Sequence, residues 1–444
     1  MKALFVNPHP GRREPVVYPL GLAYAAAAAR SAADVRCLDL QLEAAPVERL
    51  ADEVRTFDPD AVGVSIRNVD ASASYDLYDY MPVMERTVAA IRAASARARI
   101  VAGGPGFTLF PEAIMRRIPA IDIGLLFEAE YTLPELLRRL EKPDDVPHLC
   151  LRGVDGPRRT AARAPVAATD LDAPAHDLLP LRAYAAAHAE VGVQTRRGCA
   201  LRCVYCTYPF LDGGAVRVRP PGAVGDELER LADSGVRRVF FCDSIFNNPS
   251  GHAEAVCREI LKRGLRLQWR AFFNEAFVDR EQVRLAREAG CVTLIFGPDG
   301  GTDRMLGSYR KNMTAATLRA AYAACRAEKA AYRCSFLMNG PGETWGSLLR
   351  TFALILRCRL RSRMAFALST IRIYPHTELH RMAVAAGALS RDDDLLTPRY
   401  YNPCPLRPVA ALVSALERAV VRASEKKVCS LLKWKRPCRY LSGA

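Results

Sequence analysis

The sequence lacks any apolar run long enough to cross a membrane, and nothing resembling a secretory leader precedes its first apolar segment. We therefore predict a cytoplasmic protein, in a compartment where cysteine thiols stay reduced. Glycine and proline are not in excess, and half of the 444 residues are apolar, which excludes a disordered or fibrous chain. The length predicts two or three compact domains.

A basic stripe interleaved with aromatic residues is also missing, although the formal net charge is +15. Most of the excess is arginine scattered through Ala/Arg-rich segments, which argues against a nucleic-acid surface. One basic run lies near the C-terminus and consists of Lys426, Lys427, Lys433, Lys435 and Arg436. We interpret this run as a solvated face and predict neither a nucleic-acid nor a membrane partner.

Residues 1–145 alternate short β-branched runs with Ala/Leu-rich helical patterns, from Ala3–Val6 through Ile121–Leu125 to Leu133–Leu140. This alternation predicts a parallel sheet with helices on its faces, here a five-stranded Rossmann-like domain of the α/β class. Ligands of such sheets bind beyond the carboxyl ends of the strands. A GxGxxG fingerprint after the first strand is absent, which argues against NAD.

Residues 146–190 carry five prolines and little periodicity, so we interpret them as a linker. Alternation resumes at Val191–Thr195 and gives six strand–helix units over residues 191–385. Such a series predicts a partial, TIM-like (β/α)6 barrel with its chemistry at the carboxyl ends of the strands. Residues 386–444 are predicted to form a small basic C-terminal region with one helix, Val409–Ser424.

Cys199, Cys203 and Cys206 directly follow the predicted strand Val191–Thr195. Three soft thiolates within eight residues can hold three irons of a [4Fe–4S] cluster and leave the fourth iron open to a chelating substrate. Zinc is the alternative, but it needs a fourth Cys or His in space, and Cys-x3-Cys-x2-Cys is an unusual zinc pattern. We therefore predict an iron–sulfur cluster with one open iron.

The triad, with the aromatic Tyr205 before its last cysteine, resembles the signature of the radical S-adenosylmethionine (SAM) superfamily. The resemblance extends through Phe241–Asn247, Asn339–Thr344 and Arg372–Thr377 and covers about residues 190–385. It implies that the reduced cluster passes an electron to SAM and cleaves a carbon–sulfur bond.

The same resemblance implies which side chains orient SAM, namely Tyr205, Asp243, Asn274, Asp299 and Arg372. Candidate acid–base groups are Tyr309, Glu343 and Tyr374, together with His376, but each could equally be structural.

Val17–Tyr24, with Gly103-Gly104-Pro105 and the later Phe110-Pro111-Glu112, resembles the cobalamin (B12)-binding branch of that superfamily, in particular the tryptophan 2-C-methyltransferase-like enzymes. The implied corrinoid contacts are Tyr18, Pro19, Gly21, Ser65, Arg67, Asn68, Gly103 and Gly104.

Cobalt is not expected to have a protein ligand, because the Asp-x-His-x-x-Gly pattern is absent and His9 is interpreted as a loop residue. Arg67 and Asn68 are instead placed near the lower corrinoid face. The branch's Gly-Glu-Gly-Glu reads Phe127-Glu128-Ala129-Glu130 here, which predicts a reshaped pocket or a lost cofactor.

The leading hypothesis is a cobalamin-dependent methyltransferase of specialised metabolism, acting on a small molecule and reduced by a donor such as flavodoxin or ferredoxin. The first alternative is a cobalamin-free radical SAM enzyme that transfers the 3-amino-3-carboxypropyl group to a small or inorganic acceptor, with Cys404, Cys429 and Cys438 as candidate soft ligands. The second is a corrinoid and cluster sensor without catalysis.

Overall fold

The computed structural model describes residues 1–12, 14–72, 77–165 and 173–402. The chain divides into two compact units, the first built mainly from Met1–Ala71 and Tyr78–Val191 and the second mainly from Gly192–Asp393. The predicted helix Val409–Ser424, the basic run and the three tail cysteines lie outside the described residues. No helix within the described ranges is long and apolar enough to span a membrane.

The first unit is a seven-stranded sheet in the order β2-β1-β3-β4-β5-β6-β7. Its strands are β1 Lys2–Asn7, β2 Asp34–Asp39, β3 Ala61–Ser65, β4 Arg99–Gly103, β5 Ile123–Leu125, β6 Leu149–Gly153 and β7 Gly156–Arg159. Its helices are α1 Leu20–Ala29, α2 Pro46–Phe57, α3 Met81–Ala94, α4 Pro105–Leu109, α5 Pro111–Arg117, α6 Ala129–Arg138 and α7 Leu181–Ala186.

Strands β1 to β5 are parallel, as predicted, and β1 pairs with both β2 and β3. The strand order therefore reverses between β1 and β3, which is the switch point where open α/β sheets bind ligands. Residues Ala3–Val6 of β1 are buried almost completely, because a central parallel strand is covered by helices on both faces.

The linker predicted over residues 146–190 differs from the structure, which places β6, β7 and α7 there. Strand β6 pairs antiparallel with β5, in the register Ile123↔Leu151, and β7 closes a hairpin with β6. Sequence reasoning missed the hairpin because β7, the edge strand of the sheet, reads Gly-Pro-Arg-Arg and pairs only with β6 among the described strands. The sequence of β7 therefore lacks the alternation of apolar and polar residues that predicts a strand.

The second unit is a sheet in the order β8-β11-β12-β13-β14-β15-β16. Its main strands are β8 Val191–Val193, β11 Arg238–Phe241, β12 Gln268–Phe273, β13 Cys291–Asp299, β14 Tyr332–Met338 and β15 Met364–Arg372; β16 Tyr400–Tyr401 is antiparallel at the edge, and β9 Arg196–Arg197 with β10 Arg217–Val218 forms a separate ribbon. Six strands in chain order confirm the partial barrel.

The helices of this unit follow the strands in turn. They are α8 Tyr208–Leu211, α9 Pro221–Asp233, α10 Ser250–Lys262, α11 Arg280–Glu288, α12 Asp303–Ser308, α13 Ala315–Ala327, α14 Trp345–Arg361 and α15 Glu378–Ala385. An aromatic core packs behind β11 to β13, where Trp269 contacts Phe241 and Phe246 at ring-centroid distances of 5.1 and 5.2 Å. This packing fixes the strands whose carboxyl ends carry the candidate site.

Candidate functional site

The cysteine loop, residues 198–207, is held in place by backbone contacts on several sides. The amide of Cys199 donates to the carbonyl of Gly213 at 3.0 Å, and the amide of Val204 donates to the carbonyl of Tyr309 at 3.1 Å. Gly198 has a φ of +82°, and a Cβ there would lie 1.8 Å from the carbonyl oxygen of Ala215. Only glycine fits at the entry to this loop.

All three cysteines of the loop are free thiols, with Cys199 buried and Cys203 and Cys206 half-buried. Burial raises the pKa of Cys203, and it raises the pKa of Cys206 to about 12. No three His, Cys, Asp or Glu side chains of the described ranges are grouped to hold a single metal ion. The fit to a cluster rests on the donors: three unpaired soft thiols on one anchored loop suit iron–sulfur ligation.

Asp243, expected near polar parts of SAM, holds the start of the cysteine loop in place. Its fully buried carboxylate accepts hydrogen bonds from the amide of Thr195 at 2.8 Å, the hydroxyl of Thr195 at 2.6 Å and the amide of Arg196 at 3.1 Å. Burial raises its pKa to about 6 against these bonds. The side chain of Arg196, in turn, donates to the carbonyls of Gly198 and Asn248.

Asn274 is similarly engaged within the fold at the end of β12. Its side-chain oxygen accepts from the amide of Ala276 at 2.9 Å, and its side-chain nitrogen donates to the side-chain oxygen of Asn312 at 2.9 Å. The Asn274 side chain thus stabilises the turn after β12, a role that was not predicted from the sequence.

Tyr205 and Asp299 lie together, because the Tyr205 hydroxyl donates to the Asp299 carboxylate. The same carboxylate accepts from the ammonium of Lys311 at 2.6 Å. Asp299 ends β13 at a φ of +60°, just past a register shift in the strand pairing. Lys311 was missed by sequence reasoning, since a single lysine between two helices carries no pattern.

Three polar atoms close to the ends of β13 to β15 are buried without a hydrogen-bond partner in the described structure. They are the Tyr309 hydroxyl, Asn339 Oδ1 and Thr370 Oγ1. Tyr309 packs on Gly340, where a Cβ would lie 2.1 Å from its hydroxyl. Buried polar atoms without partners are costly, so these three fit the contact surface of a polar ligand such as SAM.

Arg372 and Tyr374 contact each other, with the guanidinium 4.7 Å from the ring centroid. The next aromatic pair is Phe210 of α8 and His376, whose rings stack at a centroid distance of 3.9 Å. His376 has a φ of +64°, which is uncommon for a residue with a Cβ. These contacts bring the end of β15 to the segment that follows the cysteine loop.

Glu343, a candidate acid–base group, accepts a hydrogen bond from the amide of Asn339 at 2.6 Å. Burial raises the pKa of Glu343 to about 7. The native state therefore binds this proton more tightly than the unfolded state, and stability falls as pH rises from about 4.5 to 7.

We expect Glu343→Gln to reduce the fall in unfolding free energy over this pH range by about 2 kcal/mol, because Gln keeps an acceptor oxygen without the charge.

Urea unfolding of the wild type and Glu343→Gln at pH 5 and pH 8, followed by tryptophan fluorescence, checks this expectation. Trp269 and Trp345 both lie in the second unit. The pH effect should shrink and not vanish, since the pKa of Glu275 is also raised by burial, to about 7. The matched control is Glu288→Gln on the exposed face of α11; an equal change in both variants would refute a special role for Glu343.

In the first unit, Tyr18 is buried, and its hydroxyl lies 2.5 Å from Nδ1 of His176. Its ring also packs edge-on against Tyr184, whose hydroxyl donates to Asp39 at the end of β2. Tyr18 therefore fixes the segment before α7 instead of facing an open surface. His176 and Tyr184 were missed because 158 residues separate His176 from its partner.

Pro19 stands immediately before α1, and Gly21 is exposed, with open space where a Cβ would stand. Ser65 pairs in register with Gly103. His9 caps its own loop, since its Nδ1 accepts from the amide of Gly11 at 2.9 Å. The last contact agrees with the interpretation of His9 as a loop residue.

The glycine turn after β4 packs closely against the loop that follows β3. Gly104 has a φ of +103°, and a Cβ there would lie 2.8 Å from the Ile66 carbonyl oxygen; a Cβ on Gly106 would lie 2.9 Å from the same atom. The backbone of the loop after β3 thus passes directly over this turn. Arg67 and Asn68 follow on that loop and are exposed, so the crossing presents them at the carboxyl edge of the sheet.

Phe127 occupies the first glycine position of the altered Gly-Glu-Gly-Glu motif and has a φ of +58°. It keeps the left-handed backbone that glycine adopts easily. Its ring lies 5.1 Å from that of His148. The backbone conformation is thus compatible with the motif, and an added phenyl ring changes the surface after β5.

Comparisons with known proteins agree with both halves of this description. Residues 11–137 match the family model of the B12 binding domain, and residues 193–355 match that of the Radical SAM superfamily. An uncharacterized methyltransferase of Pyrococcus horikoshii is 29% identical over 385 residues, covering 84% of this chain and 79% of the relative. The tryptophan 2-C-methyltransferase of Streptomyces laurentii is 24% identical over 325 residues, covering 59% of this chain and 54% of the relative.

Two solved structures share the fold. The radical SAM methyltransferase TsrM from Kitasatospora setae, with cobalamin and a [4Fe–4S] cluster bound, has a TM-score of 0.76 at 22% identity and covers 87% of this chain and 76% of that one. The cobalamin-dependent SAM radical enzyme OxsB, with aqua-cobalamin bound, has a TM-score of 0.78 at 16% identity and covers 98% and 69%.

Proposed function

Since the chain belongs to the cobalamin-binding branch of the radical SAM superfamily, we propose that it is a methyltransferase that takes its methyl group from SAM and passes it to a small molecule. The observation that carries the proposal is the presence, in one chain, of a B12-binding match and a radical SAM match whose cysteine loop has three free thiols. When bound, the cluster supplies an electron to SAM chemistry and the corrinoid carries the methyl group.

The residues of the second unit bind and orient. Cys199, Cys203 and Cys206 would hold the cluster, while Asp243 and Arg196 keep the loop backbone in place. The Tyr309 hydroxyl, Asn339 Oδ1 and Thr370 Oγ1 are buried without a hydrogen-bond partner in the described structure, and they would hydrogen-bond polar groups of SAM. Preorganised polar groups of this kind bind a ligand without reorganising.

The residues of the first unit would hold the corrinoid at the switch point of its sheet. Arg67 and Asn68 are exposed on the crossing loop, and the glycines beneath them let that loop lie close to β4. Arg67 cannot lose its proton, so it would face the corrinoid as a cation and would not bind the metal.

A flavodoxin or ferredoxin is the proposed electron donor.

Anaerobic reconstitution of the full chain with iron, sulfide and hydroxocobalamin tests the proposal. We expect retained corrinoid after gel filtration, a cluster absorbance, and S-adenosylhomocysteine as a product of SAM on reduction. Tryptophan is the first acceptor to try, because the similar Streptomyces laurentii protein is named for that substrate. Failure to retain any corrinoid would overturn the proposal.

Transfer of the 3-amino-3-carboxypropyl group without a corrinoid is the alternative, although the similarity to methyltransferases favours methyl transfer. A phenyl ring stands after β5 where the branch has glycine, which changes the surface offered to a corrinoid. The same reconstitution separates the two functions, since methylthioadenosine as the sole SAM product would favour the alternative.

A further inference from the structure

A buried ion pair adjoins the cysteine loop and is not explained by folding alone. Lys311 Nζ lies 2.6 Å from the Asp299 carboxylate, and the side chains are 8% and 6% exposed. Removing two charges from water costs more than their attraction returns in many proteins, so a buried pair is weak evidence for stability. Its location therefore suggests a functional role.

The pair is joined to the cysteine loop through Tyr205, which stands between Cys203 and Cys206. The Tyr205 hydroxyl donates to Asp299, and Lys311 Nζ lies 3.4 Å from that hydroxyl and 6.0 Å from the ring centroid. The backbone makes a second connection, since the carbonyl of Tyr309, two residues before Lys311, accepts from the amide of Val204. Both charges are thus fixed relative to the loop.

The lysine stays charged in this setting. Burial lowers the pKa of Lys311, but Asp299 and other anionic groups raise it further, so its net pKa lies above the ordinary value. Glu275, buried nearby, is among those groups and has one carboxylate oxygen without a partner in the described structure. A lysine behaves as a compact point charge, and because its side chain is buried its field is weakly screened.

We propose that the Lys311–Asp299 pair sets the reduction potential of the cluster held by the cysteine loop. The inference rests on the proposed function, because it requires a cluster on Cys199, Cys203 and Cys206. Reduction adds one electron from an external one-electron donor and makes the cluster more negative. The ammonium favours this state and the carboxylate opposes it, because cluster potentials respond to nearby charge.

Single and double variants test the sign of each charge. The full chain is reconstituted with iron and sulfide only, and the midpoint potential is read from the EPR signal in a redox titration. We expect Lys311→Met to make reduction of the cluster about tenfold less favourable, which lowers the midpoint potential by about 59 mV. Asp299→Asn should raise the midpoint potential by a similar amount. The double variant Lys311→Met/Asp299→Asn and the single variant Lys311→Arg should both have midpoint potentials close to that of the wild type.

The opposite signs separate a charge effect from a structural one. A loop that merely loosened would shift the potential of both single variants in the same direction, and that result would overturn the inference. The matched control is Lys262→Met on exposed α10, which should leave the potential unchanged. If Lys311→Met assembles no cluster, Asp299→Asn and the double variant still decide the sign.

The proposed function and this inference fail differently. Wild-type protein that binds no cluster would overturn both. Wild-type and variant proteins with full iron content and unchanged potentials would overturn the inference alone and leave the methyltransferase proposal standing.

Discussion

Replacing Cys203 with alanine is expected to abolish cluster assembly and to lower SAM turnover roughly a thousandfold or more, about 4 kcal/mol of transition-state stabilisation. Three thiols are the minimum that leaves a single open iron, and removal of one leaves a second iron without its ligand. The measurement is iron and sulfide content after anaerobic reconstitution, followed by product analysis of reduced SAM reactions.

Cys257→Ala is the matched control, since it removes the same sulfur from a buried thiol of α10. Its cluster content and turnover should equal those of the wild type, at a cost of about 1 kcal/mol in stability from the small cavity. Cys203→Ala protein that keeps a full cluster would show that the ligand set is different. Zinc in place of iron in the wild type would support the alternative metal.

The sheets of both units could be predicted because parallel strands buried on both faces are continuous apolar runs. Ala3–Val6 in the first unit and residues 294–296 in the second illustrate this pattern, and both lie in strands. The hairpin β6–β7 was not predictable in the same way, because an edge strand such as Gly156–Arg159 is half exposed and needs no apolar side chains.

The sequence predicted where the candidate site lies along the chain, but it did not predict the hydrogen-bond partners of its side chains. Asp243 follows the end of a strand, as expected, but among the described residues its carboxylate accepts hydrogen bonds from Thr195 and Arg196. Lys311 and His176 could not be found, since each acts through a partner distant in sequence. Such contacts depend on chain geometry that no local pattern encodes.

Gly104→Val is expected to weaken corrinoid binding about tenfold to a hundredfold, since overpacking of this kind costs about 1–3 kcal/mol. The new Cβ would lie 2.8 Å from the Ile66 carbonyl oxygen, so the loop that carries Arg67 and Asn68 must shift. Titration of hydroxocobalamin into the chain, followed by its visible spectrum, measures the effect. The cluster of the second unit should assemble normally.

Gly156→Val separates the collision from backbone strain, since Gly156 has a comparable φ of +119° but open space where a Cβ would stand. It carries the same strain without the clash, so its corrinoid affinity should stay within about threefold of the wild type, under 1 kcal/mol. Arg67→Ala, on an exposed side chain, should weaken binding while the unit stays folded. Equal losses in both glycine variants would mean that strain alone acts, and the crossing of the Ile66 loop over Gly104 would not be what positions Arg67 for the corrinoid.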